Sequence, residues 1–189
     1  MRIVAGKHRG RRLAAPEGAS VRPTSDRARE SLFNVLAHRP LRTDGQPVLT
    51  DARVLDVFAG TGAMGLEALS RGAAHATFVE RDRATLAVLE KNVATVGEQA
   101  RTTILRADAL SPPPAKTPAN LAFLDPPYGE NLAAPALAAL AKGGWLEAGA
   151  IIVVEIGKKE SLAAPPAFSP LDERQYGAAR LILLRYDET

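Results

Sequence analysis

The sequence predicts an α/β fold: a mostly parallel sheet of seven strands, covered by helices on both faces and closed by a C-terminal antiparallel hairpin. Three observations carry this. Short apolar runs alternate with segments of helical spacing along most of the chain. The run Val54-Leu55-Asp56-Val57-Phe58 turns through glycines at 60, 62 and 65 into a helix. Acids recur where successive strands end, at Asp56, Glu80, Asp108 and Asp125. Strands alternating with helices imply parallel pairing, because a parallel partner is reached only by a crossover connection. Ligands of such sheets bind outside the carboxyl ends of the strands.

The elements follow in order. Arg2-Ile3-Val4-Ala5-Gly6-Lys7-His8-Arg9-Gly10-Arg11-Arg12-Leu13 alternates basic and small apolar residues, the pattern of a short hairpin turning near Gly6 to Gly10. Thr24 or Ser25 can cap a helix over 25–37, where Ala28, Leu32, Val35 and Leu36 recur at helical spacing and Arg29 falls at the edge of the apolar face. A loop over 38–52 leads to the first strand. The helix after the glycine turn, 64–71, meets Gly72, a residue suited to a left-handed cap. A strand over 76–80 ends at Glu80, and a helix over 82–96 stops at Gly97. A strand at 103–106 precedes Asp108, and a proline-rich loop over 111–118 leads to a strand at 121–124. A helix over 133–141, a buried strand over 150–156, a loop over 163–170 and two strands joined at Gly177 complete the reading.

At 189 residues the chain has room for one such domain with an extension, residues 1–42 before 43–189. With 46% hydrophobic and 24% charged residues it is a folding chain, not a disordered one. The absence of cysteine excludes disulfides and thiolate metal sites, and His8, His38 and His75 lack ligand spacing, so no metal is expected. No run is long enough to span a membrane and the basic N-terminus lacks a signal-peptide core, which points to the cytoplasm. Charge is divided unevenly. Residues 1–42 hold ten Lys/Arg against three acids, a net +7, which leaves −4 for the other 147 residues. A basic, patterned arm on a mildly acidic body suits a polyanion, since its cations neutralise phosphates and release counterions.

A glycine turn with four acids at strand ends suits a ligand carrying an amino group, a ribose and a base. The pattern G-x-G-x-x-G alone is weak, and Glu80, twenty residues after Gly60, stands where a dinucleotide enzyme would also bind ribose. Asp125-Pro126-Pro127-Tyr128 separates the possibilities. The exocyclic amine of a base has its lone pair delocalised into the ring, and becomes nucleophilic when acceptors draw its N–H groups toward tetrahedral geometry. Asp125 and the Pro126 carbonyl can be those acceptors, the two prolines stiffen the loop, and Tyr128 offers a flat face for an extruded base. The ring is the working part in this reading, so Phe should serve nearly as well. A methyl donor of the sulfonium type needs no metal for this chemistry. Three other readings share some of these features: a DNA adenine-N6 methyltransferase, for which 189 residues leave no target-recognition domain; a nucleotide-binding oxidoreductase; and a non-catalytic RNA-binding module, against which Asp125 and Tyr128 count.

These strings, with Arg2-Ile3-Val4-Ala5-Gly6, Arg9-Gly10-Arg11, Arg22-Pro23-Thr24 and Asp26-Arg27-Ala28-Arg29-Glu30-Ser31-Leu32-Phe33-Asn34, resemble the bacterial small-subunit ribosomal RNA guanine-N2 methyltransferases of the RsmD type. The resemblance implies a Rossmann-like class I methyltransferase fold, S-adenosylmethionine as cofactor, and a guanine amine of 16S ribosomal RNA, free or within an assembling small subunit, as acceptor. It implies a cofactor site of Asp56, Phe58, Gly60, Thr61, Gly62, Glu80, Asp108 and Ala109, with methionine over the glycine loop, ribose on Glu80 and adenine near Asp108. Catalysis falls to Asp125, Pro126, Pro127 and Tyr128. RNA contact falls to Lys7, Arg9, Arg11, Arg12, Arg22, Thr24, Arg27 and Arg29, the last two with the cofactor carboxylate as an alternative. One departure, Ala28 where the family has a larger apolar residue, bears on helix packing more than on chemistry.

Overall fold

The computed structural model describes residues 1–16, 26–42 and 45–188. The expected helix cap at Thr24 or Ser25 and the expected RNA contacts Arg22 and Thr24 lie outside these residues. In chain order the elements are α1 (Asp26–His38), β1 (Arg53–Val57), α2 (Ala63–Ser70), β2 (His75–Glu80), α3 (Arg83–Val96), β3 (Thr102–Arg106), β4 (Ala119–Leu124), α4 (Ala133–Lys142), β5 (Leu146–Gly157), β6 (Phe168–Tyr176) and β7 (Ala179–Tyr186). The strands form one seven-stranded sheet in the order β3-β2-β1-β4-β5-β7-β6. The first five are parallel, and β7 runs antiparallel between β5 and β6. This is the mostly parallel α/β sheet with an antiparallel C-terminal hairpin that the sequence predicts.

Successive residues of a strand point to opposite faces, so a strand covered on both sides needs an unbroken apolar run. Val54, Phe78, Phe123 and Val153 pack into one core, and Leu55, Val79, Leu124 and Val154 into the other. Helices α1, α2 and α3 cover the first face through Leu32, Phe33, Leu66, Leu69, Leu89 and Val93. Helix α4 covers the second through Ala136, Leu137 and Leu140, joined by Trp145 and the tilted ring pair Phe168 and Tyr186. The chain starts at the central β1, winds outward to β3, then returns to lay β4 against the other side of β1. Strand order therefore reverses between β1 and β4, and a crevice opens beyond their carboxyl ends. Asp56 and Asp125 flank it.

The N-terminal segment packs on the first face, with Ile3 and Leu13 buried in the same core as α1 to α3. It turns at Gly6 and Gly10 as the sequence suggests, but it is one antiparallel bridge between Arg2 and Arg12, not a pair of strands. The reason lies across the molecule. The Ala5 N–H, the next on the side where Ile3 pairs with Arg11, donates instead to the carboxylate of Glu67 at 3.0 Å, and the Val4 N–H, which points away from the partner segment, donates to it at 2.7 Å. Glu67 is fully buried on α2, and also accepts from Arg71 Nε at 2.7 Å. The hairpin tip is fixed by Lys7 N–H on the Ser70 carbonyl, 2.7 Å, and by the buried His8 against Glu98.

Several boundaries differ from expectation, among them the start of β5, which at Leu146 comes four residues before the expected 150. Helix α2 is capped by Arg71, and Gly72, with φ of 113°, lies one residue beyond. Strand β6 begins at Phe168, inside the stretch expected to be a loop, because Pro170 sits on an edge strand at a register shift. That is a place where a missing N–H costs no ladder bond.

Candidate active site

The glycine turn is built as tightly as its composition suggests. Beyond β1 the backbone turns left-handed at Phe58, with φ of 58°, an uncommon conformation for a residue with a side chain. A Cβ at Gly62, where φ is 78°, would lie 2.3 Å from Leu89, and one at Gly65 would lie 2.4 Å from the Phe78 ring. Gly65 thus brings α2 close enough to the sheet for its N–H to reach Asp56 Oδ2 at 2.9 Å. Asn92 of α3 braces the turn, donating to the Thr61 carbonyl at 2.9 Å while it also pairs with the backbone of Ala14.

Two adjoining cavities open beyond the carboxyl ends of the central strands. The larger, about 700 Å³, has apolar walls at Phe58, Val79, Ala107 and Ala109, and a polar end at Asp125-Pro126-Pro127-Tyr128. The smaller, about 370 Å³, runs along the glycine turn past Asp56, Gly60, Thr61 and Met64. Phe58, Glu80 and Asp125 line both. Of the residues expected at a cofactor site, Asp56, Phe58, Gly60, Thr61, Glu80 and Ala109 line these cavities, while Gly62 is buried behind the turn as the N-cap of α2. Asp108 itself does not line either cavity. Its Oδ1 accepts the Leu110 N–H at 2.9 Å and its Oδ2 lies 4.0 Å from Arg81, while the flanking Ala107 and Ala109 line the larger cavity.

Glu80 holds the turn as well as facing the cavities. Its Oε2 accepts the Gly60 N–H at 3.0 Å, and its Oε1 accepts those of Arg81 and Asp82 at 2.9 Å each. A carboxylate oxygen can accept twice, so these bonds leave capacity for a ribose hydroxyl. Burial pushes the Asp56 carboxyl up to about 7, against the Gly65 N–H and helped by the charge of Glu80. Asp125 is held well above the ordinary carboxylate range by the protein around it, then by the charges of Glu155 and Asp56. It nevertheless opens onto the cavity, so solvent tempers the effect until a ligand displaces it. Glu155 was not a candidate from the sequence. It is buried on β5, and its Oε1 accepts the Tyr128 hydroxyl at 2.6 Å. The Tyr128 ring is 45% exposed at the cavity mouth, a flat face open to a planar partner.

The expected RNA contacts divide. Lys7, Arg9, Arg11 and Arg12 are exposed on the N-terminal segment; Lys7 lies 3.8 Å from Glu98, and Arg11 donates to the Thr95 carbonyl at 2.7 Å. Arg27 is exposed in a shallow groove with Arg39 and Arg174. Arg29 corrects the expectation: it is 1% exposed and has no surface from which to meet RNA. Helical spacing put it at the edge of α1, but Asp26 at 2.9 Å, Glu67 at 3.7 Å and the Arg2 carbonyl draw it inward. It lines the smaller cavity, and its Nε and Nη1 have no hydrogen-bond partner among the described residues. Among the described residues no cluster of His, Asp and Glu is arranged to hold a metal, and no helix is long and apolar enough to cross a membrane.

Comparison with known proteins agrees with this architecture. The family model described as Conserved hypothetical protein 95 matches residues 1–185. The chain is 44% identical over 168 residues to ribosomal RNA small subunit methyltransferase D of Escherichia coli strain K12, covering 88% of this chain and 80% of that one. It is 38% identical over 181 residues to the protein of the same name from Haemophilus influenzae, covering 94% and 89%. The solved structure of yhhF from Escherichia coli superposes with a TM-score of 0.83 at 38% identity, covering 100% of this chain and 99% of that one. A model match over nearly the whole chain, with relatives at this identity and coverage, places the protein in the ribosomal RNA small subunit methyltransferase D, or RsmD, family.

Proposed function

We propose that the chain transfers the methyl group of S-adenosylmethionine to the exocyclic N2 amine of a guanine in small-subunit ribosomal RNA. The observation that carries the reading is the Asp125-Pro126-Pro127-Tyr128 loop, at the switch point between β1 and β4, lining a cavity whose other walls suit an adenosine. The residues present fit the cofactor. Apolar walls suit its adenine, Glu80 its ribose, the acids its positive charge, and the guanidinium of the buried Arg29, whose Nη1 has no hydrogen-bond partner among the described residues, its carboxylate.

When bound, S-adenosylmethionine supplies an electrophilic methyl group on a positively charged sulfur. The remaining work falls to the chain. Asp125 and the Pro126 carbonyl accept the N–H groups of the guanine amine and free its lone pair, and Asp125 takes the proton that the methylated nitrogen sheds. Crowded acids raise one another's affinity for a proton, which suits Asp125 to that step, while a neighbouring positive charge favours its ionised form beforehand. Tyr128 provides the stacking face, worth about 1–3 kcal/mol per base. The test is tritiated S-adenosylmethionine with ribosomal RNA, small subunits and DNA in parallel, followed by nucleoside analysis. Label in N2-methylguanosine is expected, and the comparison of naked RNA with partly assembled subunits identifies the substrate form. Label in N6-methyladenine of DNA would overturn the reading.

A further inference from the structure

The Tyr128 side chain is gripped from behind by β5 and the turn that follows it. Its hydroxyl donates to Glu155 at 2.6 Å, and the next residue, Gly129, donates its N–H to Glu160. Glu155 is 6% exposed, on a strand whose register with β7 sets it opposite Leu181. The ring therefore hangs between a fixed backbone and a fixed acceptor, one face open to the cavity. A single hydroxyl anchor at the far end of a ring removes its freedom to swing, and an ordered platform spends less binding energy on ordering itself when a base arrives. A buried carboxylate is costly to keep in a strand otherwise as apolar as Ile151-Ile152-Val153-Val154, so an acid there needs a partner to hold.

We propose that Glu155 is a positioning residue for the methyl-transfer reaction: by accepting the Tyr128 hydroxyl it presents the ring as a preset stacking face for the extruded base. The inference rests on the reading of Tyr128 as a base platform. It replaces the expectation that Tyr128→Phe retains most activity, since Phe keeps the face and loses the anchor.

Kinetics of the full chain on its RNA substrate, with cofactor affinity by calorimetry, test it. Glu155→Ala and Tyr128→Phe should each raise the RNA KM about tenfold, the worth of one hydrogen bond to a charged group, with cofactor affinity unchanged. Glu155→Gln keeps an acceptor oxygen at the same place and should recover most of that loss. In RNA KM the double variant Glu155→Ala with Tyr128→Phe should match Glu155→Ala alone, because both remove the same bond, whereas loss of the Glu155 charge beside Asp125 is read in kcat. An unchanged KM in a folded Glu155→Ala variant, a Glu155→Gln variant as poor as Glu155→Ala, or additive effects in the double variant would each overturn the proposal. Tyr128→Ala separates this failure from failure of the platform reading: if Tyr128→Ala leaves KM unchanged, the stacking role itself is wrong.

Discussion

Asp56, in the proposed cofactor site, is a buried carboxylate kept at a cost to folding. Its carboxyl sits at about 7 where the ordinary value is 3.8, so ionising it disfavours the fold. That cost is absent below the ordinary value, grows as pH rises, and is complete above about 7, on the order of 4 kcal/mol. A cation bound beside it favours the ionised form, so binding releases a proton and weakens as pH falls. S-adenosylmethionine affinity should drop about tenfold between pH 8 and pH 6 by titration calorimetry. Asp56→Asn should flatten that profile, and raise the melting temperature of the ligand-free protein more at pH 8 than at pH 4. A pH-independent affinity in the native protein would remove Asp56 from the binding site. Asp56 was legible in the sequence because it precedes a glycine turn. Glu155 was not, because in one dimension it is a lone acid in an apolar run, and Tyr128 reaches it from another loop. Arg29 was misread for the same reason: besides Asp26 on its own helix, it meets Glu67 of α2 and the Arg2 carbonyl, which helical spacing does not count.

Among the elements, the central strands and α1 to α4 were legible because two-sided burial and helical spacing write unbroken or periodic apolar patterns. The start of β6 was hidden by Pro170, whose lost N–H is harmless only on an edge, and edges are a property of the sheet and not of the segment. The N-terminal segment was half legible. Its turn glycines are in the sequence, but the acceptor for its N–H groups is Glu67, more than sixty residues away. Glu67 binds two backbone N–H groups and Arg71 in full burial. Removing one partner of such a network leaves charges and donors unpaired, so Glu67→Ala should cost about 3–5 kcal/mol in denaturant unfolding. It should also speed hydrogen exchange at Val4 and Ala5. Native exchange at those amides in a folded variant would mean that the buried Ile3 and Leu13 and the bonds to Ser70, Asn92 and Glu98 hold the segment without Glu67.

At the scale of the molecule, the proposed RNA arm and the proposed chemistry stand at opposite ends of the same helices. The glycine turn opens α2, whereas Lys7 and His8 pack where α2 and α3 close. Eight residues of helix separate the two, about 12 Å. An RNA that engages both must run along the α2 and α3 face, so arm variants should change affinity and spare chemistry. Replacing Arg9 and Arg12 should lower the slope of log affinity against log salt by close to one unit each, and replacing Arg11 by less, since it already serves the Thr95 carbonyl. An unchanged slope would leave the arm without an RNA contact. The proposed amine chemistry is tested most directly by single-turnover methylation with Asp125→Asn, at saturating RNA and with S-adenosylmethionine binding verified by calorimetry. The expected result is a rate lower by about 10²–10⁴-fold with the cofactor still bound. A near-native rate would make Asp125-Pro126-Pro127-Tyr128 a structural turn and contradict the proposed mechanism.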